Sequence, residues 1–231
     1  MARPIQRGPG LWTVDGVLQN KFLPLGIRMT VIRLADGSLL IHSPIPTANS
    51  TFSDLDALGP VRWVIAPNKA HHLYVGDYLK VYPEAKLYGA PGLPEKRTNL
   101  KFDGVLSDVA PNAWSQDLEQ HLFRGAPFLN EVLFFYKPTR TLIATDLVFN
   151  LKDESKGPLG MRLFLLGSGA NNHFGPHRFI RFIIRDRAAA RQSVDRIMQW
   201  NFDRIIMTHG EVLETGGRAK VAVAFAYLSG K

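Results

Sequence analysis

Four apolar, β-rich runs in this sequence each lead to a side chain that can bind a metal ion or move a proton. Leu39-Leu40-Ile41 runs into His42, and Thr141-Leu142-Ile143-Ala144-Thr145 into Asp146. Arg204-Ile205-Ile206-Met207-Thr208 ends at His209, and Val61 to Ala66 leads through Pro67-Asn68 to His71 and His72. Residues just past a strand sit at the rim of a sheet, where the backbone is fixed and the side chain is free to face a cleft. Strands that alternate with helical patterns and stop in this way predict a layered α/β fold with a site at the strand ends.

Other local signals place the remaining elements. Met29–Leu34 and Leu39–Ile41 flank Asp36-Gly37, a hairpin turn. Ser53 or Asp54 is expected to cap a short helix that runs to Leu58 and stops at Gly59-Pro60. A helix is expected over His72–Tyr82, then a short strand at Lys86-Leu87-Tyr88. Asn130–Tyr136 and Thr141–Thr145 read as a strand pair, Phe179–Trp200 as one long helix, and residues 218–228 as a last amphipathic helix. Residues 1–28, rich in Gly and Pro, are expected to wrap the surface, and 91–104 to form a surface loop. Residues 150–177 are expected to form a lid or a partner-binding segment. The length suits a single domain over residues 1–231.

Composition narrows the chemistry. The sequence has no cysteine. Any metal must therefore be held by His, Asp, Glu or carbonyl oxygen, and a reducing, cytoplasmic setting is expected. No apolar stretch follows Met1–Gly10 as in a signal peptide, and no run is long enough to span a bilayer. Lys and Arg number 28 against 20 Asp and Glu, a net charge of +8. Such a surface can attract nucleic acid. No nucleic-acid-binding signature accompanies it, however, and Arg178, Arg181, Arg185, Arg187, Arg191 and Arg196 fall on more than one helix face. Stems of arginine covering apolar surface account for that pattern, so nucleic acid is not an expected partner. A small-molecule substrate is expected, and self-association is left open.

Of the seven histidines, His42, His71, His72 and His209 follow predicted strands, whereas His121, His173 and His177 do not. A single strand-end histidine is more often a hydrogen-bonded structural residue than a ligand. Several together with an aspartate make a metal site a reasonable competing reading. His71 and His72 would diverge by about 100° on a helix. Both can face one ion only from a loop or first turn, which Pro67 to Lys69 supplies.

The order of these blocks resembles the metallo-β-lactamase superfamily. His42-Ser43-Pro44 stands where a strand ends in a polar residue, and Ala66-Pro67-Asn68-Lys69-Ala70-His71-His72 stands where a His-rich loop opens a helix. Thr145-Asp146-Leu147 matches the bridging aspartate, and Thr208-His209-Gly210 the final histidine. Phe123-Arg124-Gly125, Glu131-Val132-Leu133-Phe134-Phe135 and Thr139-Arg140-Thr141-Leu142-Ile143 resemble more closely an uncharacterised bacterial and plant branch of that superfamily. The resemblance covers about residues 10–228 and implies a four-layer αββα metallo-β-lactamase-like sandwich.

The superfamily's His-x-His-x-Asp-His string is absent. One register puts Pro67, Lys69, His71 and His72 on its positions, and the other starts at Asn68 and puts His72 on the Asp. The usual histidine of the second half is replaced by Gly125-Ala126-Pro127-Phe128-Leu129-Asn130. The resemblance therefore implies a reduced, mononuclear site of His71, His72, Asp146 and His209, with His42, Asn68 or His121 as further members. The expected cofactor is one divalent ion, zinc first and iron or manganese next, and the expected activity is hydrolysis of a small ester, lactone, thioester or phosphoester. The competing expectation is a non-catalytic domain without metal that binds a small ligand or a protein partner.

Overall fold

The structure, a computed structural model, describes residues 3–18, 24–152 and 157–229. Parts of the expected surface wrap (1–2 and 19–23) and of the expected lid (153–156) lie outside the described residues.

A seven-stranded sheet runs in sequence order through β1 (Ile5–Gly8), β2 (Leu11–Val17), β3 (Gly26–Arg33), β4 (Leu39–His42), β5 (Val61–Ala66), β6 (Lys86–Gly89) and β7 (Gly104–Val105). The β3–β4 hairpin forms at the expected turn, where Gly37 takes φ 82° and Asp36 accepts hydrogen bonds from the N–H and hydroxyl of Ser38. Pairing is antiparallel from β1 to β4 and parallel from β4 to β7. Parallel neighbours need a crossover. Helix α1 (Asn49–Leu58) joins β4 to β5, and α2 (Val75–Val81) joins β5 to β6. The one-turn α3 (Leu93–Lys96) lies within the expected 91–104 loop.

The second sheet has the order β13-β10-β9-β8, with β8 (Leu118–Leu122), β9 (Val132–Tyr136), β10 (Thr141–Ile143) and β13 (Arg204–Ile206). A two-stranded sheet pairs β11 (Phe149–Leu151) with β12 (His173–Gly175). Helices α4 (Leu159–Ser168), α5 (Arg178–Ile183), α6 (Arg187–Ile197) and α7 (Gly217–Ala224) complete the chain. All five residues of β9 are buried because its two faces serve two cores. Val132, Phe134 and Tyr136 join the core shared with the first sheet, and Leu133 and Phe135 join the core under the C-terminal helices. That period-two division is the signature of a sheet covered on both sides. The result is the expected α/β layering of helices outside two facing sheets. No helix of the described residues is long and apolar enough to cross a membrane.

Several elements differ from expectation. Residues 5–8 and 11–17 are strands of the first sheet rather than a surface wrap. Helix α1 starts at Asn49, before Ser53 and Asp54, and α2 starts at Val75 rather than His72. The expected long helix is two, α5 and α6. Asp186 caps α6 by accepting from the Ala189 N–H (2.9 Å), and the N–H groups of Arg185 and Asp186 donate to the Gly125 carbonyl (2.7 and 3.2 Å). An aspartate N-cap opens a new helix more readily than it continues an old one. Arginines of this region have local partners: Arg181 lies over the Tyr227 ring, Arg191 pairs with Asp195, and Arg187 donates to the Tyr227 carbonyl.

Candidate metal centre

Three loops at strand ends converge on one carboxylate. Oδ1 of Asp146 lies 3.2 Å from Nε2 of His71 and 3.2 Å from Nε2 of His209. The three ligand atoms lie within 4.8 Å of one another, so the group could hold a metal ion. Two ligand atoms each about 2.1 Å from a tetrahedral ion are about 3.4 Å apart, close to the contacts seen here.

The outer nitrogens of both rings are held. Nδ1 of His209 meets the carbonyl oxygen of Gly26 at 2.8 Å, and Nδ1 of His71 meets the hydroxyl of Ser43 at 2.9 Å. A carbonyl only accepts, so Nδ1 of His209 carries the hydrogen and Nε2 is the nitrogen left to face Asp146. Such outer contacts fix the tautomer and ring orientation of metal-binding histidines. Ser43 takes φ 56°, a left-handed conformation that a non-glycine residue adopts under constraint. Arg28 grips the His209 loop from below, donating to the carbonyls of Met207 (2.8 Å) and Gly210 (2.7 Å) and pairing with Asp15.

Asp146 is held by a second tier. Asn68 Nδ2 donates to Asp146 Oδ2 at 2.8 Å, while Asn68 Oδ1 accepts from the N–H groups of Ala70 and His71. One amide thereby ties the His71 loop to the Asp146 turn. The fully buried Glu131 accepts from the backbone N–H groups of Thr145, Asp146 and Leu147 at 2.7, 2.8 and 2.9 Å. Burial, with the nearby Asp146 charge, pushes the Glu131 carboxyl up to about 6. Burial also acts against the Asp146 carboxylate, but the charge of His71 and hydrogen bonds from His209 and His71 outweigh it and hold Asp146 well below the usual carboxylate value. For His71, burial favours the neutral ring, and the Asp146 charge more than reverses this, raising its pKa.

Three of the four expected ligands therefore meet, and His72 stands apart. Its Nδ1 accepts from Arg97 at 2.7 Å, and burial with the charges of Lys96 and Arg97 lowers it to about 4. Of the further candidates, Asn68 is in the cluster's support. His42 is buried behind it, edge-on to Phe134, with Nε2 unpartnered among the described residues and a pKa lowered by burial to about 3. His121 belongs to a different place, with Nδ1 on Asp108 at 3.0 Å. Sequence reasoning assigned no role to Ser43, Arg28, Glu131 or His177. His177 packs edge-on to Phe149, whose ring stacks on His209 at 4.9 Å between centroids. Burial lowers His177 to about 4.

Two cavities meet at the cluster, and Leu25, Ala70, Asp146 and His209 line both. The smaller, about 220 Å³, is walled by aliphatic side chains and Tyr74. The larger, about 510 Å³, opens between Phe149 and α5.

This layering of two sheets and outer helices is the metallo-β-lactamase fold. Solved relatives share it: a metallo-β-lactamase from Pontibacter korlensis (11% identity, TM-score 0.67, all of both chains covered), the DIM-1 metallo-β-lactamase (10%, 0.67, 98% of this chain and 97% of that one) and a metallo-β-lactamase from Hirschia baltica (11%, 0.63, 99% and 97%). Within that fold, residues 9–158 match the sequence profile of the domain of unknown function DUF4336, and the chain belongs to that family. No curated protein matches the chain significantly in sequence.

Proposed function

We propose that this chain is a metal-dependent hydrolase of a small ester, lactone, thioester or phosphoester, with one divalent ion held by His71, Asp146 and His209. The observation that carries this reading is the pair of histidine Nε2 atoms aimed at one carboxylate oxygen while their Nδ1 atoms are engaged elsewhere. A divalent ion held by His71, Asp146 and His209 would supply Lewis-acid polarisation at the meeting point of the two cavities. The protein's own residues do the rest. Asn68 fixes the carboxylate and Glu131 the backbone that carries it, Gly26 sets the tautomer of His209 while Ser43 orients the ring of His71, and the apolar cavity walls orient the substrate and limit water. In the net reaction the oxygen of water ends on the acyl or phosphoryl centre, and the leaving oxygen or sulfur takes the proton. Zinc suits two imidazoles and a carboxylate, and iron or manganese would be accepted by the same donors.

A second reading is a non-catalytic domain that binds a small ligand or protein partner. The direct His–Asp contacts at 3.2 Å favour it, because protonated rings would make the same cluster a closed hydrogen-bonded network. Elemental analysis of untagged protein separates the two. The hydrolase reading expects about one ion per chain, lost in His209→Ala, together with turnover on a panel of esters, thioesters, lactones and phosphoesters. Metal near zero in both proteins would leave the second reading standing.

A further inference from the structure

Helix α5 consists of a triplet written twice, Arg178-Phe179-Ile180 and Arg181-Phe182-Ile183. At about 3.6 residues per turn, positions three apart share a face. Ile180 and Ile183 enter the core, as a surface helix requires. Phe179 and Phe182 remain 60% and 64% exposed, and both line the 510 Å³ cavity. Phe128 stands beside them at 68% exposure. An exposed cluster of aromatic rings over a cavity is a binding surface rather than a solvated one. The cavity's polar groups are few. Asp146, His209 and His177 line it, and His177 is 4% exposed with Nδ1 unpartnered among the described residues. Arg185 is its remaining charged lining group. The guanidinium lies 4.6 Å over the Phe182 ring, and no acidic side chain pairs with it among the described residues.

We propose that the cluster cleaves substrates with an apolar group on each side of the reacting bond, and that the longer arm is an aryl or extended alkyl chain ending in an anionic group. The shorter, aliphatic side fills the 220 Å³ cavity of Ile27, Pro44, Ile45 and Leu73. The longer arm lies along Phe149, Phe164 and Phe182 and brings its negative end to Arg185. The two cavities differ in size and lining, and they share Asp146 and His209, so the bond between the arms lies at the cluster. This rests on the hydrolase reading for the placement of the reacting bond, whereas the binding of the long arm does not.

The test is calorimetric titration of the purified protein with 6-phenylhexanoate, which has the arm and the charge but no bond to cleave. Saturable binding is expected, at least about tenfold tighter than for acetate, because acetate buries no ring. The cation 6-phenylhexylammonium should bind more weakly than the carboxylate, and Arg185→Gln should erase that difference. Phe179→Ser/Phe182→Ser removes two mostly exposed rings, one of them the platform under Arg185, and should weaken the carboxylate about tenfold while leaving the thermal midpoint in place. His71→Ala should keep the binding within a factor of about three, since its ring lines the smaller cavity and not the one that takes the long arm. Lost turnover with retained binding therefore bears on the hydrolase reading alone. Absence of saturable binding, equal binding of the ammonium, or indifference to the double phenylalanine variant would overturn the inference. So would retention on phosphatidylglycerol vesicles without phenylhexanoate binding, which would make the rings a membrane-facing patch.

Discussion

Nδ1 of His209 lies 2.8 Å from the carbonyl oxygen of Gly26, a residue 183 positions earlier in the chain. The contact joins the first sheet to the last strand-end loop and settles which ring nitrogen faces Asp146. That nitrogen, Nε2, has two states compatible with an acidic neighbour at 3.2 Å. Either it is protonated and donates, or it is bare and shares a cation with the carboxylate.

The second state would give the protein a metal-dependent stability. An ion at about 100 times its dissociation constant stabilises the folded chain by about 2.7 kcal/mol. For a chain of this size that is about 5–10 °C in thermal midpoint. A thermal scan with and without chelator should show this loss in the parent protein and none in His209→Ala.

Glu131 is expected to be the most costly single polar residue to remove. Its carboxylate accepts from three consecutive backbone N–H groups around Asp146, all buried. Glu131→Ala leaves these donors without an acceptor and should cost about 3–5 kcal/mol. Glu131→Gln keeps one acceptor oxygen and should recover about half of that. Urea unfolding reads both, and a loss below 1 kcal/mol for the alanine variant would contradict this role for the carboxylate.

Arg28 acts on His209 through the backbone. Its Nη1 bonds to the carbonyls on either side of the histidine, those of Met207 and Gly210. Arg28→Ala should free the loop and reduce metal affinity about 10–100-fold, as loss of an outer-shell partner does elsewhere. Competition against a chromogenic chelator measures it, and the substitution should leave the metal stoichiometry unchanged at saturation.

A pH effect is expected at the β3–β4 turn. The Ser38 hydroxyl, then its N–H, donates to Asp36 Oδ1 and lowers the Asp36 pKa below 3.8. A carboxyl with a lower pKa when folded contributes stability above its unfolded value and loses it as pH falls through the folded value. Ser38→Ala should therefore cost about 0.5–1 kcal/mol near pH 7, at the low end because Asp36 is exposed, and less in acid, where the folded carboxyl is protonated. Unfolding curves at neutral and acid pH decide this.

Much of the site was legible because strand ends are legible. His71, Asp146 and His209 follow β-rich runs, and the sheets bring those ends together. His72 looked equivalent to His71 because nothing near it in sequence announces Arg97, which takes its ring nitrogen from 25 positions away. Glu131 was hidden for the same reason: an acid within the expected strand Asn130–Tyr136 shows no role until its donors, 14 to 16 residues on, fold back over it. In the fold, β8 was missed because Glu119, Gln120 and His121 are poor strand formers, and tertiary partners such as the Trp114 and Trp200 indoles satisfy the first two. The break between α5 and α6 carried one local signal, the capping aspartate Asp186, but its other half is a carbonyl 60 residues upstream.

That carbonyl belongs to Gly125, and the last prediction concerns it. Gly125 takes φ 85°, and a Cβ there would collide with the Asp186 carbonyl oxygen. Its own carbonyl receives the N–H groups of Arg185 and Asp186, so the glycine and the helix break hold each other in place. Gly125→Ala adds left-handed strain to a backbone collision and should cost about 2–4 kcal/mol. The damage should be local first, since α5 hangs from this contact and carries the phenylalanines of the large cavity. Amide hydrogen exchange should therefore accelerate over residues 178–190 before the first sheet is affected. Uniform acceleration across both sheets would instead mean that the two halves open as one unit and that Gly125 contributes only to global stability.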